Sequence, residues 1–315
     1  MIKNEKIFIT GGAGFLGKTL IKKLSKDNEI TIYSRDEFKH YLLKKYYPNV
    51  EFIVGDIRNY DLLQRSSRDH SIGIFAASLK QIEACENNAE EASRIIVDGA
   101  LNSRRISEEN KFKASCFISS DKSRAPTTIY GAMKFVAGAS FIIHSSASYP
   151  ETKLTAVIYG NVLNSTGSII PLMWSFIKED KEMLLYGKEM TRFIITIQEA
   201  INLVETALTL DEVNVIPIAK SCYIKDMFDI YKEEFGLKYK LSHPRSGEKI
   251  HEILAAKEEA RRMKLLQDKN AYIMHPQDEY NSVSFKGEEY SSEHSAITKE
   301  ELYKLLKNNN FFKPN

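Results

Sequence analysis

A short apolar run, Lys6–Thr10, feeds directly into a glycine-rich turn and then into a helical pattern over Phe15–Lys26. No other stretch narrows the choice of fold as much. Gly11, Gly14 and Gly17 follow one another at every third position. The first permits a tight turn, the second lets the backbone approach a pyrophosphate, and the third lets the helix pack close to the sheet. Phosphates then meet free N–H groups at the positive end of a helix. The glycine spacing alone is a weak signal, but here a strand precedes it, a helix follows it, and Glu29–Tyr33 supplies a second strand. The segment predicts a dinucleotide site on Thr10, Gly11, Gly14, Phe15, Leu16 and Gly17. The alternative is a purely structural turn.

Val50–Val54, Ser71–Ala76, Ser115–Ser119 and Leu154–Tyr159 read as further strands, with helices expected over Ala89–Asn110 and Tyr130–Ser145. Strands separated by helices imply right-handed crossovers, hence an α/β fold with a Rossmann-type doubly wound parallel sheet. After Gly160 the rhythm breaks. Residues 161–170 read as loop, Pro171–Lys178 and Ile197–Leu208 as helices, and Val213–Ile218 as a strand. Residues 1–162 are expected to form the dinucleotide-binding domain, with 195–219 returning to it. Residues 163–315 are expected to form a smaller mixed α/β lobe that binds substrate.

Composition bounds the function. The 315 residues carry 44 basic and 42 acidic side chains, a net charge of +2, and 43% are hydrophobic. Such a balance suits a globular protein and offers no electrostatic footprint for nucleic acid or an anionic membrane. No apolar run approaches the ~20 residues of a spanning helix. Charged Lys3, Glu5 and Lys6 lead straight into the first strand, unlike a signal peptide. Cys85, Cys116 and Cys222 lack metal-ligand spacing and are expected as reduced, buried thiols, so no metal is expected and the expected location is cytoplasmic.

The second strand ends at Ser34 and Arg35, where an NAD site usually places an acid. A hydroxyl and a guanidinium suit a 2′-phosphate, so NADP is the expected cofactor. Asp36 is the competing feature, since it could reach a ribose instead. Asp56 and Ile57, after the third strand, are placed to meet the adenine, although Asp56 could also cap a helix.

Tyr130 and Lys134 have the i, i+4 spacing that puts both on one helix face. An ammonium beside a phenol stabilises phenolate, so the tyrosine can serve as a base, and the lysine can also hold the nicotinamide ribose. Among 16 tyrosines the spacing alone is unremarkable, but it falls one helix after the fifth strand of a dinucleotide fold. Ser120, Asp121 and Lys122 stand at the end of that strand, where ligands bind in such sheets. A serine to polarise a hydroxyl suffices for simple oxidation. An added acid and base are what water elimination requires, one to protonate a leaving hydroxyl and one to remove a proton alpha to a ketone.

Together these features resemble the sugar-nucleotide branch of the extended short-chain dehydrogenase/reductase superfamily. More narrowly, Ser119–Lys134 (SSDKSRAPTTIYGAMK) is similar to the pattern of UDP-N-acetylglucosamine 4,6-dehydratases. So are Ala76–Ile82 (AASLKQI), Tyr159–Ser168 (YGNVLNSTGS), Met190–Phe193 (MTRF) and Pro244–Glu252 (PRSGEKIHE), with a weaker echo near Tyr290. Tyrosine at 130 and the short chain resemble the branch that inverts carbon 5.

The resemblance implies a three-step cycle on a UDP-sugar. Tyr130 takes the proton of the carbon 4 hydroxyl as the hydride passes to NADP, with Ser120 orienting that hydroxyl. Lys122 removes the proton on carbon 5, and Asp121 assists loss of the carbon 6 hydroxyl as water. The hydride then returns to carbon 6, and carbon 5 is reprotonated from the opposite face. The product is a UDP-4-keto-6-deoxy-hexosamine for surface glycans. The resemblance also implies that Ala76 and Ala77 lie against the cofactor, that Lys80, Asn161, Ser168, Arg192, Arg245 and Glu248 hold the substrate, and that the protein is a homo-oligomer.

Five positions depart from the family pattern, with Phe75, Ile96, Thr128, Ile158 and Thr166 where polar or different polar residues are usual. They leave two other readings open: a different sugar-nucleotide epimerase or dehydratase, or a non-catalytic NADP-binding regulator.

Overall fold

The computed structural model describes residues 2–143, 151–275, 285 and 288–314. Six parallel strands come first: β1 (Lys6–Thr10), β2 (Glu29–Ser34), β3 (Glu51–Val54), β4 (Ile72–Phe75), β5 (Ala114–Ile118) and β6 (Lys153–Val157). They lie side by side in the order 3-2-1-4-5-6. The order reverses between β1 and β4, and at such a reversal the carboxyl ends of the strands leave a crevice for a ligand. The remaining strands are β7 (Asn161–Val162), β8 (Glu182–Tyr186), β9 (Thr191–Ile195), β10 (Val213–Pro217), β11 (Lys220–Tyr223), β12 (Lys238–Ser242), β13 (Ile253–Ala255), β14 (Met263–Leu266), β15 (Ala271–Met274) and β16 (Tyr290–Ser291). Strand β10 pairs parallel with β6, and β15 and β14 extend that edge antiparallel, giving nine strands in the large sheet.

The helices are α1 (Phe15–Leu24), α2 (Glu37–Lys44), α3 (Tyr60–Ser66), α4 (Ile82–Asn87), α5 (Ala89–Ser93), α6 (Gly99–Glu109), α7 (Ile129–Ile142), α8 (Ile169–Lys178), α9 (Ile197–Ala207), α10 (Ile224–Phe235), α11 (Lys257–Ala260) and α12 (Lys299–Asn308). Strand alternation decides which helices cover which face. Ile7 and Ile9 of β1 pack in one core with Leu20 and Ile21 of α1 and Ile201 and Val204 of α9. Phe8 points the other way, into a core with Leu63 of α3, Cys85 of α4, Ile106 of α6 and Phe141 of α7. A sheet covered on both faces explains the near-continuous apolar runs. A separate core joins Met173 of α8, Phe228 and Tyr231 of α10 and Leu302 and Leu306 of α12.

Several expected boundaries move. The helix foreseen over Ala89–Asn110 is two helices, α5 and α6, joined by a π-helical turn at Arg94–Asp98 that buries Ile95 and Ile96. Helix α1 ends at Leu24 rather than Lys26. Helix α7 starts at Ile129, capped by the Thr128 hydroxyl, which accepts from Gly131 N at 3.1 Å. Its foreseen end at Ser145 lies outside the described residues. The foreseen loop 161–170 contains β7 and the first turn of α8, where Pro171 is tolerated because N–H groups there lack helical partners. All three cysteines are buried free thiols. Among the described residues no helix is long and apolar enough to cross a membrane.

Candidate active site

A cleft of about 910 Å³ opens at the carboxyl edge of the large sheet. Gly11, Gly14, Phe15, Leu16 and Gly17 line it at the start of α1. Gly11 has φ +68°, and a Cβ there would stand 2.8 Å from Ala77 N, so a side chain is excluded on both counts. Thr10 lies behind this turn rather than on the cleft wall. Its carbonyl accepts from Ala76 N at 3.2 Å and its hydroxyl from Ala77 N at 3.3 Å, tying β1 to the segment after β4. Gly14 caps α1 without a side-chain hydrogen bond, and the first turn carries no acid. The positive helix end is therefore uncompensated and faces the cleft, which fits a dinucleotide phosphate.

At the β2 tip, Ser34, Arg35, Asp36, Asp56 and Ile57 line the same cleft. Asp36 is engaged as the N-cap of α2, accepting from Lys39 N at 2.9 Å. Asp56 accepts from Arg58 Nε and Arg58 N, both at 2.9 Å, and these bonds hold its carboxyl below the ordinary range. It does not cap α3; Asn59 does. Arg35 is mostly exposed, its Nη1 4.0 Å from Asp56 Oδ2. The Ser34 hydroxyl pairs with Nε2 of buried His40 at 2.6 Å, a partner the sequence reading missed.

Past β5 the chain tightens into a 3₁₀ turn, Asp121–Ser123. The Asp121 side chain is only 1% exposed. Its Oδ1 accepts from Ser120 Oγ at 2.9 Å and from Lys122 Nζ at 3.1 Å, while Oδ2 has no hydrogen-bond partner among the described residues. Burial pushes the Asp121 carboxyl above its ordinary value, toward the neutral acid. Lys122 stands between two carboxylates, Asp121 and Glu252, the latter at 3.3 Å. Burial works against its charge, but the two carboxylates outweigh burial and push its pKa up.

Helix α7 brings Tyr130 to this turn. A Cβ on Gly131 would stand 2.3 Å from the Lys122 carbonyl oxygen, so the close approach of helix and turn depends on that glycine. Burial pushes the Tyr130 phenol up to about 12, with the Lys122 ammonium pulling it back. Lys134, expected beside the phenol, instead donates to the Ile118 carbonyl at 3.0 Å and lies over the Phe117 ring at 4.9 Å. Lys134 lines the same cleft as Tyr130, and the ammonium that pulls on the phenol here is that of Lys122.

Burial lowers Lys134 from 10.5 to about 8. Because the unfolded chain binds this proton more tightly, stability rises with pH between about 8 and 10.5. That difference corresponds to roughly 3 kcal/mol at neutral pH. Lys134→Met is therefore expected to raise the melting temperature of the ligand-free protein by several degrees at pH 7. The gap should close as pH rises toward 10, and a pH-independent gap would exclude burial of the charge as its cause.

Lys80, Asn161 and Ser168 also line the cleft. Lys80 Nζ donates to the Thr166 carbonyl. Asn161 Oδ1 and Ser168 Oγ are buried without a hydrogen-bond partner among the described residues, a condition a polar ligand would relieve. The three other expected substrate residues form a cluster of their own. Arg192 Nη2 lies 3.1 Å from Glu248 Oε1, and Arg245 Nε lies 3.2 Å from Glu248 Oε2. None of the three is on the cleft wall. Arg192 is buried and also donates to the carbonyls of Thr191 and Ile250, so its guanidinium braces the loop instead of standing free for a diphosphate.

Three of the family departures are settled by packing. Phe75, Ile96 and Ile158 are buried in the cores, where a polar side chain would need a partner. Glu252 is a charged residue next to Asp121 and Lys122 that the sequence reading did not assign. Its only signal was its place as the last residue of the Pro244–Glu252 motif.

Comparisons with known proteins agree with this architecture. The polysaccharide biosynthesis protein family matches residues 7–274. A Campylobacter jejuni UDP-N-acetylglucosamine 4,6-dehydratase (inverting) is 32% identical, over 82% of this chain and 80% of that protein. A Rickettsia akari UDP-glucose 4-epimerase is 31% identical, over 97% of this chain and 96% of that protein. The crystal structure of Pen from Bacillus thuringiensis superposes with a TM-score of 0.90 at 28% identity, covering 97% of this chain and 98% of that one. With its Rossmann-type sheet and the match over most of its length, the chain belongs to the polysaccharide biosynthesis protein family, on the extended short-chain dehydrogenase/reductase scaffold.

Proposed function

We propose that the protein is a UDP-N-acetylglucosamine 4,6-dehydratase that inverts carbon 5 and uses NADP. The observation that carries this reading is the buried Asp121–Lys122 pair, with Ser120 and Tyr130, on the wall of one cleft that also holds the glycine-rich turn. Plain oxidation at carbon 4, or epimerisation there, has no use for a second acid and base. A bound nicotinamide would hold the two electrons taken from carbon 4 and return them to carbon 6.

The chain's own residues handle the protons. Tyr130 accepts the proton of the carbon 4 hydroxyl, which Ser120 orients. Across the 3.1 Å contact a proton passes from Lys122 Nζ to Asp121 Oδ1, leaving a free amine and a carboxylic acid. The amine takes the proton from carbon 5, now acidified by the ketone. The acid gives its proton to the departing carbon 6 hydroxyl, which leaves as water. Both groups are thereby back in their resting charge states. As the electrons return to carbon 6, carbon 5 takes a proton from solvent on the opposite face. Tyr130 releases to solvent the proton it accepted, which closes the balance.

The test is turnover of UDP-N-acetylglucosamine in heavy water, followed by proton and mass spectra. Deuterium at carbon 5 and a new 6-methyl group are expected. A carbon 4 epimer with neither would favour the epimerase reading suggested by the Rickettsia relative. Nucleotide binding with no turnover of any UDP-sugar would favour a regulator. For the cofactor, Arg35→Ala is expected to weaken NADP binding about tenfold while leaving NAD binding nearly unchanged, by the usual strength of a guanidinium–phosphate contact. Titration calorimetry with both dinucleotides reads this, and equal losses would remove Arg35 from the 2′-phosphate.

A further inference from the structure

We propose that Glu252 is a positioning residue for Lys122: with Asp121 it forms a two-carboxylate clamp that fixes the lysine Nζ and stabilises the ammonium that proton removal creates. The inference deepens the dehydratase reading and rests on it for its catalytic meaning. Its geometry stands independently. Glu252 Oε1 lies 3.3 Å from Lys122 Nζ, beside the Asp121 contact at 3.1 Å. Its side chain is only 4% exposed. The backbone leaves it little freedom. Glu252 N donates to Ser292 Oγ and Ser292 N donates to the Glu252 carbonyl, both at 2.8 Å, just before β13 pairs with β16.

Among the described residues, the charged groups against the pair are few. Arg192 Nε, from β9, lies 3.7 Å from Glu252 Oε1, and Lys249 Nζ lies 3.7 Å from Oε2. Asp121 shares Lys122 from the other side, and Tyr130 of α7 feels the Lys122 charge. Three cations thus converge on one buried carboxylate, which explains why it stays ionised where an isolated buried acid would be neutral. Among the described residues Oε2 has no hydrogen-bond partner, so the carboxylate is held chiefly by these charges.

The chemical consequence follows from the direction of charge flow. When the Lys122 amine takes a carbon proton, positive charge appears on Nζ. A fixed carboxylate at hydrogen-bond range stabilises that charge without reorganising. Glu252 also sits in the segment that carries Arg245 and Glu248, so the placement of that loop and the basicity of Lys122 are linked through a single side chain.

The test uses the protein without substrate, by trace acetylation with acetic anhydride at pH 8 and mass spectrometry of the Lys122 peptide. Only free amine reacts, and Lys122 lies on the cleft wall within reach of the reagent. Exposed Lys45 serves as the internal reference. Glu252→Gln is expected to raise Lys122 labelling relative to Lys45 about tenfold, the effect of one pKa unit on the free amine. Glu252→Asp, which keeps the charge, is expected to stay within a factor of a few of the unmodified protein. Labelling of Lys122 that does not rise in Glu252→Gln, or rises equally in Glu252→Asp, would overturn the clamp. If Glu252→Gln fails to fold, the charge-balanced double variant Glu252→Gln, Lys249→Gln is expected to raise Lys122 labelling in the same direction by a smaller factor, because it also removes a neighbouring cation, and no rise there would overturn the clamp. A purely structural role would lower activity without freeing the Lys122 amine. Failure of the dehydratase reading would show separately, as absence of carbon 5 deuterium in the unmodified protein.

Discussion

Lys122→Ala is expected to abolish deuterium incorporation at carbon 5, by a factor of about 10² to 10⁴, the usual worth of a positioned general base. The cofactor should still be reduced on mixing with UDP-N-acetylglucosamine, because oxidation at carbon 4 precedes proton loss at carbon 5. The reduced form should then accumulate and be visible as near-ultraviolet absorbance in a single-turnover experiment. Removing the lysine also strands Asp121 and Glu252, two buried carboxylates that face its ammonium at 3.1 and 3.3 Å. The alanine variant is therefore expected to lose stability as well. Lys122→Arg separates the two effects. Arginine keeps the positive charge between the carboxylates but cannot give up its proton, so it should restore the fold and leave carbon 5 exchange dead. Recovery of exchange in the arginine variant would mean that the base is another group.

That Lys122 is held firmly as an ammonium was not visible in the sequence, and the reason is physical. The pattern Ser120–Asp121–Lys122 announced an acid and a base, and the strand–turn–helix at Lys6–Leu24 announced a Rossmann-type fold, because both are local in the chain. Proton affinities are set by groups that only folding brings near. Glu252 comes to Lys122 from a distant segment, and its place at the end of the Pro244–Glu252 motif does not say which group it faces. Lys134 was read from the i, i+4 rule, which gives the helix face but not the side-chain direction. The Ile118 carbonyl and the Phe117 ring hold the ammonium here. Arg192 shows the same dependence on distant groups. A guanidinium in a substrate-side motif suggests a phosphate ligand, yet here it is buried and shared among Glu248, Glu252 and two carbonyls. The missed helix α2 had a readable start in Asp36, but that acid was weighed only as a ribose partner.

Tyr130→Phe is expected to fail one step earlier than the lysine variants. Without the phenol no group takes the carbon 4 proton, so cofactor reduction, carbon 5 exchange and water loss should all fall together, by about 10² to 10⁴. The ring itself packs with the α7 and β5 core, so phenylalanine should fold normally. The pH dependence gives a sharper check. Burial holds the phenol up to about 12, so the phenolate is scarce at neutral pH and its fraction grows about tenfold per pH unit. Cofactor reduction by the unmodified protein should therefore accelerate from pH 7 toward 10, and the residual rate in Tyr130→Phe should not. Lys122 supplies the cation that pulls the phenol back down. Lys122→Ala should then slow reduction and push its rise to higher pH, whereas Lys122→Arg should leave both close to those of the unmodified protein. If alanine and arginine at 122 reduce cofactor with the same pH profile, the phenol takes its help from elsewhere, and Lys134 regains the role that its spacing first suggested.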